Sequence, residues 1–88
     1  MEIIYTEPFQ RDYNDFPELV QKALEKALRF LMQNMRHPSL RVKKLPGTSI
    51  WYGRITKSHR FTFQPNENTI ILRRVGTHAI LTKERENL

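Results

Sequence analysis

Three side chains in the second half of the sequence could act together on a phosphodiester: Arg54, Arg60 and His78. A guanidinium stays charged at any physiological pH and can bind two phosphate oxygens at once. A histidine titrates near neutrality, so it can accept or donate a proton there. If the fold brings these groups together, the arginines can hold a phosphate while the histidine transfers a proton. The residue types therefore indicate phosphodiester chemistry.

Alternating residues place the two arginines on one face of a predicted β-hairpin over residues 51–64. The apolar set is Trp51, Ile55, Phe61 and Phe63, and the polar set is Tyr52, Arg54, Thr56, Arg60, Thr62 and Gln64. This alternation is typical of strands that bury one face. A loop with an odd number of residues, most simply Lys57-Ser58-His59, keeps each set on its own face. Arg54 and Arg60 then share the polar face.

Cleavage of a phosphodiester without a metal ion needs the attacking hydroxyl deprotonated, the charged phosphorane stabilised and the leaving oxygen protonated. We assign proton transfer to His78, as the general acid, and phosphate binding to Arg54 and Arg60. Structural roles stay open for the same residues, because a histidine can cap the end of a strand and arginines can line a solvated sheet face.

Five further residues are candidates for contacting a nucleic acid: Lys43, Lys44, Tyr52, His59 and Arg73. Lysines in a basic loop could contact the nucleic-acid backbone, and a tyrosine could stack on an unpaired base. A four-residue turn at 65–68 would put Arg73 on the face of Arg60. A solvated loop, a packed tyrosine and a plain turn at His59 are the alternatives. The sequence shows no metal-ligand spacing and no cofactor-binding glycine loop, so we expect neither metal nor cofactor.

The N-terminal segment predicts a short strand at 2–5 followed by a helix. Thr6 can cap this helix, because its hydroxyl can accept from a free N–H of the first turn. Phe9, Tyr13 and Phe16 recur at helical spacing and define one apolar face. This face is expected to pack on the sheet.

A second helix follows directly, with Asn14 or Asp15 as its expected cap. It must end by His37, because Pro38 disfavours helical geometry at the residue before it. Its apolar stripe consists of Leu19, Val20, Ala23, Leu24, Ala27, Leu28, Leu31, Met32 and Met35.

The remaining segments complete an α+β prediction. Residues 38–48 read as a loop, and 69–75 as a strand that is apolar on both faces at its start and therefore central. Gly76 is a candidate for a β-bulge, and 82–88 is a charged tail that is ordered only if it docks. We predict two N-terminal helices packed on a twisted, mainly antiparallel three- to four-stranded sheet, in a single domain spanning residues 1–88.

Composition favours a polyanionic or acidic partner. The 88 residues carry 15 Lys and Arg against 9 Asp and Glu, which gives a net charge of +6 and a pI of about 10.1. There is no cysteine, so disulfides and thiolate metal sites are excluded. The N-terminus lacks the basic and apolar regions of a signal peptide, and no apolar run approaches membrane-spanning length. We expect a cytoplasmic protein without a membrane partner.

Several segments together resemble the RelE/ParE superfamily of toxins from type II toxin–antitoxin modules: residues 40–47, residues 51–55, Arg60 within a strand, and Val75-Gly76-Thr77-His78. The Gly-Thr-His ending is most similar to the YafQ-like members. The resemblance implies a ribosome-dependent endoribonuclease that cuts messenger RNA in the A site and contacts ribosomal RNA. It also implies a cognate antitoxin that wraps the toxin in an oligomeric complex.

By position, the resemblance carries family roles in RNA cleavage by 2′-hydroxyl attack to Arg54, Arg60 and His78, and it implies that the nucleic acid contacted by the five further candidates is RNA. Tyr52 departs from the pattern, since RelE itself has lysine there, and no tyrosine or phenylalanine follows His78. Two alternatives therefore stay open: a ParE-like toxin that inhibits gyrase, and a non-catalytic member that acts through its antitoxin as a corepressor.

Overall fold

A computed structural model describes residues 2–86. The elements in chain order are β1 Glu2–Tyr5, α1 Glu7–Asn14, α2 Glu18–Gln33, a 3-10 turn Pro38–Leu40, β2 Lys43–Lys44, β3 Trp51–Arg54, β4 Arg60–Pro65, β5 Thr69–Gly76 and α3 Ala79–Glu86. The five strands lie in the order β1-β5-β4-β3-β2, with β1 parallel to β5 and the other pairs antiparallel. The α+β class is confirmed, but the sheet has five strands and not the three to four predicted.

The cap of α1 also fastens this helix to the sheet. Thr6 Oγ1 accepts from the N–H of Phe9 at 3.4 Å, as predicted, and its hydroxyl donates to the carbonyl of Leu72 in β5 at 2.7 Å. Phe9 is buried in the core, whereas Tyr13 is half-buried. Phe16 is also half-buried, but it lies beyond the last residue of α1.

The start of α2 differs from the prediction. Its N-cap is Pro17, without a side-chain cap, because the N–H of Asp15 instead closes the end of α1 on the carbonyls of Arg11 and Asp12. The expected capping by Asn14 or Asp15 is therefore wrong. The helix ends at Gln33, before the predicted limit.

The apolar stripe on α2 is narrower than predicted. The residues that it buries in the core are Leu24, Ala27 and Leu31. Leu19 is 84% exposed and Met32 is 43% exposed. At the turn angle of an α-helix, both lie roughly 110° from the middle of the buried face, which explains why they face solvent.

The predicted faces of the β3–β4 hairpin are confirmed, although its loop is longer. Residues 55–59 separate the strands instead of 57–59, and both lengths are odd, so the same residues share a face. Arg54 lies opposite Arg60, and Gly53 lies opposite Phe61 on the apolar face. A Cβ on Gly53 would lie 2.7 Å from Phe61 Cε1, so the glycine leaves room for the buried ring.

The bulge lies in β5 at Arg73 and not at Gly76. Thr62 pairs with Arg74 and Phe63 pairs with Leu72, which leaves Arg73 without a cross-strand partner. Arg74 donates to Asp12 of α1 at 2.7 Å, and the N–H of Val75 donates to the same carboxylate at 2.9 Å. Asp12 therefore takes the place of a neighbouring strand along this part of β5.

The charged C-terminal segment forms a helix. Residues 79–86 build α3, while residues 87 and 88 of the predicted tail lie outside the described part. Ile80 Cγ2 lies 2.6 Å from the position of a Cβ on Gly76, and buried Glu84 accepts from Arg73 at 2.7 Å. The helix therefore covers part of the polar sheet face that we expected to be open, and Thr62 on that face is fully buried.

The segment 38–48 is also more structured than the predicted loop. It contains a 3-10 turn at Pro38–Leu40 and the two-residue strand β2 at Lys43–Lys44. Leu40 and Leu45 are buried. These apolar contacts hold the basic part of the segment against β3.

Candidate functional site: a basic pocket on the sheet

A cavity of about 180 Å³ collects cationic side chains at one end of the sheet. It is lined by Arg41, Lys43, Tyr52, Arg54, Arg60 and His78, and we call it the basic pocket. The three residues assigned to chemistry line it together, as do two of the five predicted to contact RNA. The structure thus brings together residues that are as far apart in sequence as Arg41 and His78.

Strand register explains how the pocket forms. Lys43 of β2 lies opposite Tyr52 of β3, Arg54 of β3 lies opposite Arg60 of β4, and Arg60 in turn lies opposite Gly76 of β5. Residues opposite each other in antiparallel strands point to the same side. His78 follows two residues after this row and is exposed in the turn before α3.

Carbonyl groups of the loop 55–59 hold the two central guanidiniums. Arg60 Nη1 donates to the carbonyls of Thr56 and His59, each at 2.9 Å, and to that of Lys57 at 3.3 Å. Arg54 Nε donates to the same carbonyl of Thr56 at 3.4 Å. These contacts fix the groups without neutralising their charge.

The pocket has an excess of positive charge. Partial burial lowers the pKa of Arg60 from its ordinary value, the cations Arg54 and Arg41 lower it further, and Tyr52 acts in the opposite direction. The four ion pairs found among residues 2–86 join Arg11 to Glu7, Lys22 to Glu18, Arg73 to Glu84, and Arg74 to Asp12. None of them involves a side chain of the basic pocket, so an anionic group would meet uncompensated charge there.

Three of the candidates for RNA contact lie elsewhere. Lys44 is opposite Trp51, so alternation turns it away from Lys43. Arg73 is held by Glu84 through the bulge. The ring of His59 bonds through Nδ1 to Thr56 Oγ1 at 2.9 Å. These three residues do not line the basic pocket, and their contact with RNA stays a prediction.

Arg41 is the pocket residue to which the sequence assigned no role. It follows the 3-10 turn with a φ of 48°, in the left-handed region. A non-glycine residue rarely adopts this geometry; here Arg41 is the C-cap of the turn, and its N–H donates to the carbonyl of Pro38 at 3.3 Å. The only available signal was the basic character of its loop.

Neither a group of metal ligands nor a membrane-spanning helix occurs among residues 2–86. Among residues 2–86, no three His, Cys, Asp or Glu side chains are grouped so that they could hold a metal ion. Over the same residues, no helix is long and apolar enough to cross a membrane.

Comparisons with known proteins place the fold. No family model matches the chain, and no curated protein matches its sequence. Solved structures do match: the YoeB/ParE toxin from Agrobacterium tumefaciens superimposes with a TM-score of 0.78 at 18% identity, covering 89% of this chain and 99% of that one. The chain has the RelE/ParE toxin fold.

Two further toxins share the RelE/ParE fold. RelE in the RelB-RelE antitoxin–toxin complex from Methanococcus jannaschii matches with a TM-score of 0.71 at 21% identity, over 92% of this chain and 96% of that one. YafQ from E. coli strain BL21(DE3) matches with a TM-score of 0.71 at 18% identity, over 90% and 94% of the two chains. The fold that the sequence resemblance implied is confirmed.

Proposed function

We propose that this protein is the toxin of a type II toxin–antitoxin module and that it cleaves messenger RNA in the ribosomal A site without a metal ion. One observation carries the proposal: Arg54 and Arg60 lie side by side in the basic pocket, with His78 at the same cavity. A pair of guanidiniums without carboxylate partners suits a phosphodiester, and an exposed histidine beside them suits proton transfer.

In this mechanism the scissile phosphate lies between Arg54 and Arg60. The 2′-hydroxyl of the same nucleotide attacks the phosphorus, and the arginines stabilise the negative charge that develops on the phosphorane. His78 donates a proton to the departing 5′-oxygen. The products are a 2′,3′-cyclic phosphate and a 5′-hydroxyl. Water or another nearby group takes up the proton of the 2′-hydroxyl.

The other pocket residues would hold the strand on either side of this phosphate. Arg41 and Lys43 are exposed and can bind flanking phosphates of the messenger or of ribosomal RNA. Tyr52 is half-buried beside them and can stack on an unpaired base. These contacts favour a single strand over a duplex, because a base must be accessible for stacking.

The proposed protein partner is an acidic antitoxin. The chain carries a net charge of +6, and the M. jannaschii RelE structure that shares its fold is a complex with RelB. A YoeB-YefM complex from Staphylococcus aureus also matches, with a TM-score of 0.75 at 21% identity. An oligomeric toxin–antitoxin complex in the cytoplasm is therefore part of the proposal.

The test is primer extension on messenger RNA from translating cells that express the protein. Wild type should produce cuts inside codons, and His78→Ala and Arg60→Ala should abolish them. Arg29→Ala is the matched control, because Arg29 is exposed on α2 and does not line the pocket. Circular dichroism should show the same folded spectrum for all four proteins.

Growth arrest by wild type without any cut transcript would refute cleavage, and a gyrase supercoiling assay would then test ParE-like inhibition. If the wild type neither arrests growth nor cuts RNA but still binds its antitoxin, the protein is a non-catalytic member.

A further inference from the structure

Thr56 organises the loop between β3 and β4. Its Oγ1 accepts from the N–H of Ser58 at 3.2 Å and from the N–H of His59 at 3.1 Å. The same oxygen lies 2.9 Å from Nδ1 of the His59 ring. One side chain thus contacts the backbone of two following residues and the ring of one of them.

These contacts determine the direction of the hydroxyl proton. A threonine hydroxyl has one donor and two acceptor sites, and the two N–H groups occupy both acceptor sites. Its proton is therefore directed to His59 Nδ1, which accepts it in the tautomer that is protonated on Nε2. The ring is also fixed by an edge contact with Phe16, at 5.2 Å between centroids. The loop is consequently tied to the segment between α1 and α2.

The loop conformation directs its carbonyls at the basic pocket. The carbonyl of Thr56 accepts from both Arg54 and Arg60, and that of His59 accepts from Arg60. Since no carboxylate among residues 2–86 pairs with either arginine, the loop carbonyls hold both guanidiniums. An arginine side chain has many rotamers, so holding it in advance lowers the entropy lost when it binds a phosphate.

We propose that Thr56 is a positioning residue of the basic pocket: its hydroxyl sets the loop 55–59, and the loop carbonyls set Arg54 and Arg60 for one phosphate group. This inference rests on the proposed function for the identity of the anion. The inference also gives His59 a role, because its Nδ1 accepts a hydrogen bond from the Thr56 hydroxyl. This role differs from the RNA contact predicted from the sequence.

The experiment compares three variants. Thr56→Val removes the hydroxyl and keeps the shape, whereas Thr56→Ser keeps the hydroxyl. Thr48→Val is the matched control, because Thr48 Oγ1 accepts from the N–H of Ile50 at 2.9 Å and donates to Leu45 at 2.8 Å in a different turn. Thr48 does not line the basic pocket.

The first readout does not involve RNA. Nitrogen-15 NMR measures proton exchange and rotation of the Arg54 and Arg60 guanidiniums. Thr56→Val should speed both by about five- to tenfold, which is the effect expected if the hold on each guanidinium weakens by the free energy of about one ordinary hydrogen bond. Thr56→Ser and Thr48→Val should match wild type. Unchanged guanidiniums in Thr56→Val, or the same gain in Thr48→Val, would overturn the positioning role.

The second readout is affinity for a single-stranded oligonucleotide with 2′-deoxyribose, which cannot be cleaved by 2′-hydroxyl attack. Thr56→Val should weaken binding about five- to tenfold in the wild-type background. The loss should be smaller in the Arg60→Ala background, because one of the two positioned groups is absent. Equal losses in both backgrounds, or the same loss in Thr56→Ser, would refute positioning through the hydroxyl.

The two readouts separate the two proposals. If wild type fails to bind the oligonucleotide but Thr56→Val still frees the guanidiniums, the proposed function fails and the positioning role stands. If RNA is bound and cut but the guanidiniums ignore Thr56, only the positioning role fails.

Discussion

The four arginines in β3, β4 and β5 occupy two different environments. Arg73 and Arg74 each have a carboxylate partner, Glu84 and Asp12, with a nitrogen to oxygen distance of 2.7 Å in both pairs. Arg54 and Arg60, by contrast, lie directly opposite each other in the neighbouring strands β3 and β4. Like charges directly opposite in a sheet are destabilising, and the loop carbonyls offset this only in part. An anionic ligand between the two groups would remove the repulsion, which is why we place the function there.

The buried hydroxyl of Thr62 leads to the first prediction, which concerns stability. Its Oγ1 is buried and has no hydrogen-bond partner among the described residues. A buried hydroxyl without a partner lowers stability. Thr62→Val should therefore raise the free energy of unfolding by about 1 kcal/mol, measured by urea denaturation.

Thr48→Val is the control for this change, because it removes a hydroxyl that both donates and accepts. It should lower the free energy of unfolding by roughly 1 kcal/mol. If both variants lose stability equally, the Thr62 hydroxyl has a favourable contact, and the account of its burial is wrong.

Residue patterns predicted the members of the site better than their surroundings. Alternation placed Arg54 and Arg60 on one face, and this held although the loop grew by two residues, because face depends only on parity. The carboxylate partner of Arg73 depends on how α3 packs against β5. No pattern within β5 predicts that contact.

At the scale of an element, α3 shows what pattern alone could not predict. Its sequence is rich in charge, with Lys83, Arg85 and Glu86 exposed. Its attachment depends on Ile80 and Glu84, one helical turn apart, which contact Gly76 and Arg73. Gly76 suggested a β-bulge, because a glycine inside a strand often marks one. Here its role is close approach, because α3 packs where a side chain would be.

The close packing of α3 on Gly76 predicts the effect of adding a side chain at this position. Gly76→Ala places a Cβ 2.6 Å from Ile80 Cγ2, so the Ile80 side chain or α3 itself must shift. Overpacking of this kind costs about 1 to 3 kcal/mol of unfolding free energy. The cost should nearly vanish when Ile80→Ala is the background, because the clashing methyl is gone.

Urea denaturation of the four proteins of this double-mutant cycle gives the coupling energy. Circular dichroism would report whether helix content falls in Gly76→Ala alone. A cost that is the same in both backgrounds would show that Gly76 is needed for its backbone and not for the approach of α3.

At the scale of the whole molecule, the fold and the charge distribution carry different information. Toxins at 18% to 21% identity share the RelE/ParE fold with this chain, so the architecture depends on patterns of burial that many sequences satisfy. At that distance the fold does not transfer catalytic residues. The charges carry local information: among residues 2–86, four cations without a carboxylate partner, Arg41, Lys43, Arg54 and Arg60, line the same pocket.

Neighbouring lysines allow this charge argument to be tested directly. Lys43 and Lys44 are both exposed and differ by one position, but only Lys43 lines the basic pocket. Binding of a single strand releases counterions, and each phosphate contact contributes about 0.7 to the slope of log affinity against log salt. Lys43→Gln should therefore reduce the slope by roughly 0.7, and Lys44→Gln should leave it unchanged.

Both substitutions remove one positive charge, so a general effect of net charge would lower the two slopes equally. Titrations of a fluorescent, non-cleavable oligonucleotide at several salt concentrations measure the slopes. Equal slopes for the two variants would mean that the affinity for the oligonucleotide depends on net charge alone. The basic pocket would then not be the binding site. A change for Lys43 alone would show that the oligonucleotide crosses the face of β2 on which Lys43 lies. The main difference between the two lysines is the face of β2 to which each side chain points.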